Sequence, residues 1–372
     1  MQGCIRTLLL VALTIPPALS HAQSQAAGAV FVMTNSASRN EIIAFKRNAD
    51  GALEEGRHFA TGGRGSGGVT DPLASQGSLT LTTDHSFLLA VNAGSGSISV
   101  FRIHGNRLSL VDRVPCGGSE PVAVAQHGDL VYVVNAGGTS NVVGFRLERN
   151  GNLRPIARSL AFLTTGNSGA ASLAFSPNGQ FLLVTEKLTN RVDVFHVQLD
   201  GTLGPISPNP SAGPGLFAVV FAPNGTAIAS ETGPADGNNA SAVSSYGVLP
   251  NGTLSPLSAS ISTLGAATCW QAVTPNGRFV YTSNSGTATI SGFAIAPNGK
   301  LSALPGTIVG TLVEGSANLD LAITADGKFL YTLDSGTGSI SIFAINKDGS
   351  LTNQGEVGGL SAAAGFNGIA AL

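Results

Sequence analysis

Apolar and polar positions follow a pattern that recurs along the whole chain. Residues 171–195 (ASLAFSPNGQFLLVTEKLTNRVDVF) show it best. An apolar run, a Pro-Asn-Gly turn, a second apolar run ending on Glu186, a polar loop and a third apolar run follow one another. The third run alternates apolar with small or polar residues, the period-two pattern of an antiparallel strand with one buried face. The same unit returns with its second run ending on Asn35, Asn92, Asn135, Glu186, Glu231, Asn284 and Asp334. The spacing averages about 50 residues, the length of one repeated supersecondary unit.

After each third run comes another turn, as at Asp50-Gly51, Asn150-Gly151, Asp200-Gly201, Asn251-Gly252, Asn298-Gly299 and Asp348-Gly349. Asn-Gly and Asp-Gly suit hairpins because both residues accept positive φ at low cost. A short fourth strand near the following Leu completes the unit. Four antiparallel strands in each of seven repeats predict an all-β fold, a seven-bladed β-propeller. The first unit lacks a first strand, and the chain ends on an orphan apolar segment, NGIAAL at 367–372. That segment is expected to supply the innermost strand of the first blade and close the ring, leaving no open sheet edge between the first and last blades.

Composition adds a compartment and removes some partners. The chain is 43% hydrophobic and only 11% charged, with 49 glycines, which fits a large core and many tight turns rather than disorder. A formal charge of −2 gives no electrostatic reason for a nucleic acid or membrane partner. Arg6, the apolar run at 8–15 and Ser20-His21-Ala22 read as a signal peptide cleaved after Ala22, so residues 1–22 are expected to leave. A linker at 23–28 and a propeller over 29–372 remain, monomeric and periplasmic or extracellular. Cys116 and Cys269 fall on separate blades and are expected as buried free thiols. Residues 62–76 and 231–246 exceed the repeat and are rich in Gly, Ser and Asn, so both are expected to be irregular and mobile.

The strand order puts the hairpin turns on one rim, the turn face. The loops after the second strands and the blade-to-blade connections lie on the other, the loop face. Irregular loops on a rigid scaffold carry function more often than minimal turns, so the site is expected at the loop face and central channel. The histidines fall in turns, at the turn-face end of third strands or in an outer strand, and no nucleophile elbow or metal-binding motif occurs. Carboxylates and a few cations remain. Glu186 and Glu231 hold equivalent positions on adjacent blades and are the candidate catalytic pair, set to activate water. The alternative is a ring of side chains that cap strand ends, as the Asn residues at the same position do. Lys187, Arg191, Trp270, Gln271, Asp320 and Asp334 are the candidate substrate-binding residues, with Asp320 and Asp334 a second acidic pair. Trp270 either stacks on a ligand or fills space with its N–H bonded to a loop carbonyl. These residues call for no cofactor and no metal.

The segments LAFSPNGQFLLVTE (173–186), VTPNGRFVYTSNSGTATISGFAI (273–295) and ITADGKFLYTLDSGTGSISIFAI (323–345) resemble the lactonase family of seven-bladed propellers over about residues 29–372. That family includes 6-phosphogluconolactonases and carboxy-muconate lactonizing enzymes. The resemblance implies hydrolysis of a small lactone or a carbohydrate-like ligand; the alternative is a non-catalytic propeller that binds a glycan, peptide or protein on its loop face. Enzyme members carry Arg-His before the first-strand run. Those positions read Gly77-Ser78, Glu120-Pro121, Ala171-Ser172, Phe217-Ala218, Cys269-Trp270 and Leu319-Asp320 here, and only Glu186 matches the family's strand-ending Glu.

Overall fold

The computed structural model describes residues 28–54, 56–235 and 237–372. The proposed signal peptide lies outside the described residues. Seven antiparallel sheets make the fold, six of them four-stranded and one five-stranded. Blade 4 is typical, with strands Ala170–Phe175, Phe181–Glu186, Arg191–His196 and Ser207–Pro210 in sequential order. Blade 3 carries the extra strand, because its outer edge is split into Leu153–Pro155 and Ala161–Phe162, both paired to Asn141–Leu147. The first strands touch one another around a complete ring, so they line the centre. No helix among the described residues is long and apolar enough to cross a membrane.

Ring closure is as expected. Ile369–Ala371 pairs antiparallel with Gly28–Met33, with Val32 opposite Ile369 and Val30 opposite Ala371. The closing strand brings Ile369, and the segment just before it Phe366, into the apolar cluster between blades 7 and 1. Burying each of these large side chains contributes roughly 1.5–3 kcal/mol.

The second turns work differently from the expectation. Only the glycine takes positive φ, for example 90° at Gly51 and 96° at Gly151. The preceding Asp or Asn instead accepts the amide two residues on, as Asp50 does from Ala52 at 3.1 Å and Asn150 from Asn152 at 3.0 Å. Each turn is also docked on its neighbour. A Cβ on Gly51 would stand 2.5 Å from the Phe329 ring, and the Gly51 carbonyl accepts the Tyr331 hydroxyl at 2.7 Å. Tyr281 does the same to Gly349 at 2.8 Å, and Tyr132 to Gly201. At Gly51, Gly151 and Gly349 a glycine is therefore required twice over, by its φ and by the Phe ring against it.

Candidate functional site: the strand-end ring and the central channel

The strand-ending side chains form inter-blade clamps. Asn92 of blade 2 accepts the Thr61 hydroxyl of blade 1 at 2.6 Å and donates to Ser99 of its own third strand at 2.8 Å. Glu186 and Glu231 occupy the same place and are fully buried. Glu186 accepts the Thr164 amide at 2.7 Å and the hydroxyls of Thr164 and Thr189. Glu231 accepts Ser211 at 3.1 Å, the Gly213 amide at 3.0 Å, Ser244 at 2.7 Å and Ser260 at 2.7 Å. Each carboxylate has its own set of donors, and the geometry gives both a clamping part. Asp334 is the blade 7 version, buried and bonded to Ser341 at 2.6 Å, with burial pushing its carboxyl up to about 7.

Asp193 is the group that the sequence reading passed over. It stands where other blades put Ser99, Ser291 or Ser341, and the signal was available as an Asp inside VDVF where the aligned strands read Ser. It is fully buried, and neither oxygen receives a hydrogen bond. Burial first, and the facing Glu186 carboxylate second, push it up to about 8. The exposed Arg191 opposes the rise at Asp193.

The loop-face end of the channel is closed. Phe217, Ala218, Cys269, Trp270 and Leu319 form a buried apolar cluster, with the Phe217 and Trp270 rings edge to face at 5.0 Å. These are the positions where the enzymes of the resemblance place cations. Across the cluster runs the second half of segment 62–76, which is fastened rather than mobile. The Ser75 carbonyl accepts the Trp270 indole N–H at 2.8 Å, and the Ala74 carbonyl accepts Lys187 Nζ. Gln76 donates to the Gln271 carbonyl at 2.6 Å and, through its amide, to the Ala171 carbonyl at 3.0 Å. The Ser75 hydroxyl donates to the Val122 carbonyl at 2.9 Å, and Asn367 donates to Asp71 at 3.0 Å. These partners sit on blades 3, 4 and 6 and beside the closing strand, so the strap spans the channel. Trp270 thus takes the packing alternative, and Gln271 anchors the strap and donates to the Ala218 carbonyl at 3.0 Å. Lys187 lies under the strap, 5.2 Å from the Phe217 ring. Burial lowers its pKa, against the pull of Asp71, Cys269 and Glu120.

Beneath the strap, a cavity of about 420 Å³ opens towards the turn face. Gln76 and Asp320 stand at its inner end, Thr80 along its wall, and His85, Pro275 and Ala325 at its rim. Asp320 is buried and accepts the amides of Leu321 at 3.0 Å and Ile369 at 3.4 Å. Burial pushes its carboxyl up to about 7, with Asp71 adding to the rise. Asp71 is itself raised to about 7 by burial, although Lys187 and the Asn367 bond oppose that. Asp320 therefore faces Asp71, whereas Asp334 faces Ser341 and Glu356, and the expected Asp320–Asp334 pair does not form. Among the described residues, no group of three or more His, Cys, Asp or Glu side chains is placed to hold a metal ion. Cys116 and Cys269 are free and buried.

The sequence profile described as "Lactonase, 7-bladed beta-propeller" matches residues 25–164 and 219–357. The chain belongs to this lactonase family. No curated protein matches this family member in sequence. Its fold resembles the periplasmic gluconolactonase of Pseudomonas aeruginosa, with 18% identity, a TM-score of 0.70 and coverage of 93% of this chain and 99% of that one. A candidate 6-phosphogluconolactonase from Bacteroides uniformis gives 20% identity, a TM-score of 0.68 and coverage of 93% and 99%. Kuenenia stuttgartiensis hydrazine synthase also matches, with 15% identity, a TM-score of 0.60 and coverage of 88% and 99%. At such identities the likeness is one of fold, and one fold hosts unrelated chemistries.

Proposed function

We propose that this lactonase-family propeller is an exported, monomeric hydrolase of small lactones, acting in the periplasm or outside the cell, with its chemistry in the cavity under the strap. One observation carries the reading. Asp320 is a buried carboxyl held near 7 at the inner end of a cavity in the centre of the ring, where a general base works best at neutral pH. In this reading Asp320 takes a proton from water as the water oxygen bonds to the lactone carbonyl carbon. The ring C–O bond then breaks, and the departing alkoxide recovers the proton from Asp320, giving the open hydroxy acid. Glu186 and Glu231, with every donor around them engaged in clamping, are assigned to the scaffold. The sequence pattern read as a leader at 1–22 and the fold likeness to the periplasmic gluconolactonase of P. aeruginosa are what support export.

A panel of aldonic and simple γ- and δ-lactones, assayed with and without calcium, tests the proposal. Turnover that rises with pH through about 7 and falls by roughly a hundredfold or more in Asp320→Asn supports it. Full activity in Asp320→Asn together with loss in Glu186→Gln returns the chemistry to the strand-end ring. No turnover on any lactone favours the second reading, a non-catalytic binder. The apolar closure by Trp270, Phe217 and the strap is the observation behind that alternative.

A further inference from the structure

We infer that the central cavity is single-ended and free of lysine and arginine, and that it admits an uncharged polyhydroxylated ligand from the turn face while excluding a phosphorylated one. The inference places the ligand in the cavity of the proposed function and in that part rests on it. Its entrance and its charge preference follow from the walls. On the loop-face side, the strap is bonded to blades 3, 4 and 6 and, through Asn367, to the closing segment. Trp270 and Phe217 fill the space beneath the strap. A ligand coming from that side would have to break several of these hydrogen bonds at once. On the other side the rim is made of turn residues, His85, Pro275 and Ala325, with Ala325 exposed.

The lining contains neither lysine nor arginine. Lys187 is not among the lining residues, and its Nζ is held by the Ala74 carbonyl. A phosphoryl group inside would meet the Asp320 carboxyl with no guanidinium or ammonium to balance it, and a desolvated anion without a partner is strongly disfavoured. A neutral ligand rich in hydroxyls meets better conditions. The walls are first strands, each the last strand of its sheet, which turn backbone edges towards the centre. Hydrolysis of a neutral lactone would create a carboxylate beside Asp320, and the like charges would favour release of the product.

Thr80→Cys places a thiol on the cavity wall, and the native thiols among the described residues, Cys116 and Cys269, are buried. Its modification by methyl methanethiosulfonate and by the anionic sulfonatoethyl reagent reads access without any catalysis. The neutral reagent is expected to react at least tenfold faster at pH 8. Adding Ala325→Trp at the rim should slow the reaction at least tenfold, and adding Leu188→Trp, on the exposed loop face, should change it less than twofold. No labelling of Thr80→Cys, or a block by Leu188→Trp rather than Ala325→Trp, overturns the entrance. Equal rates for the two reagents, or hydrolysis of 6-phosphogluconolactone as fast as that of unphosphorylated δ-gluconolactone, overturns the charge preference. Labelling as expected with no lactone hydrolysed leaves the pocket standing and removes the lactonase reading alone.

Discussion

Replacing Asp193 by Ser should stabilise the protein, and increasingly so as the pH rises. The carboxyl titrates near 3.8 in an unfolded chain and at about 8 in the folded one, raised by burial and by Glu186. The folded state therefore prefers the protonated form. The stability this group contributes is complete below the unfolded value and is lost as pH rises through the folded one. Each pH unit between the two costs about 1.4 kcal/mol, so the cost at pH 7 is about 4 kcal/mol. Glu186 raises Asp193 both by its charge and as a hydrogen-bonding neighbour, and a protonated Asp193 relieves the first and can supply the second. Serine at this position donates to a strand-ending carboxylate without adding a charge, as Ser341 does to Asp334 and Ser244 to Glu231. With an unfolding entropy of roughly 2 cal/mol/K per residue, 4 kcal/mol corresponds to a gain in Tm of about 5 °C. Thermal melts of both proteins from pH 5 to pH 9, followed by circular dichroism, read this directly. Asp71, Asp320 and Asp334 titrate in both proteins and cancel in the difference. The gain should grow by about 2 °C per pH unit up to about pH 8 and then level off. A difference that is constant with pH, or that shrinks as pH rises, refutes the shared-proton account.

Two further perturbations probe the ring and the strap. Ile369→Ala should cost about 2–4 kcal/mol in denaturant unfolding, and truncation after Ala364 should give an aggregating product; a truncated monomer with unchanged melting would remove the closing strand from the stability argument. Trp270→Phe keeps the ring packed on Phe217 but leaves the Ser75 carbonyl without its 2.8 Å partner, a loss of about 1–3 kcal/mol. Amide exchange over residues 70–78 should accelerate while that of the blade strands stays unchanged, and unaltered protection of the strap would show that its other bonds suffice.

The fold was readable because its causes are local and repeated. Period-two strands, Asp-Gly and Asn-Gly turns and the orphan NGIAAL segment each signal their own geometry, and seven copies made the register plain. What escaped was non-local. Gly62, Gly63, Gly65, Gly67 and Gly68 give segment 62–76 the composition of a loose loop. Its fastening comes from Trp270, Gln271, Lys187 and Val122, distant in sequence and brought together only by the ring. The Glu186 and Glu231 positions were located correctly, but their surroundings depend on hydroxyls from the preceding blade, such as Thr164 and Ser211. A strand-ending carboxylate looks the same in a sequence whether it faces solvent or a closed set of donors.

The lack of cations at the channel mouth and the strap are best understood together. Arg and His side chains around a channel mouth need water, a ligand or a carboxylate to satisfy them, and a strap laid over them would bury charge without partners. With Phe217, Cys269, Trp270 and Leu319 in those places, the mouth becomes a surface on which a backbone segment can dock. The strap brings carbonyls for the donors that remain, Ala74 for Lys187 and Ser75 for Trp270. Restoring a cation there, as in Phe217→Arg, should therefore displace the strap rather than rebuild a site beneath it. Residues 70–78 would lose amide protection, and the chain would become susceptible to limited proteolysis in the strap, while the blades stay folded. A Phe217→Arg protein with a protected strap would mean that the mouth accepts a charge beneath a closed strap, and that the two features are independent.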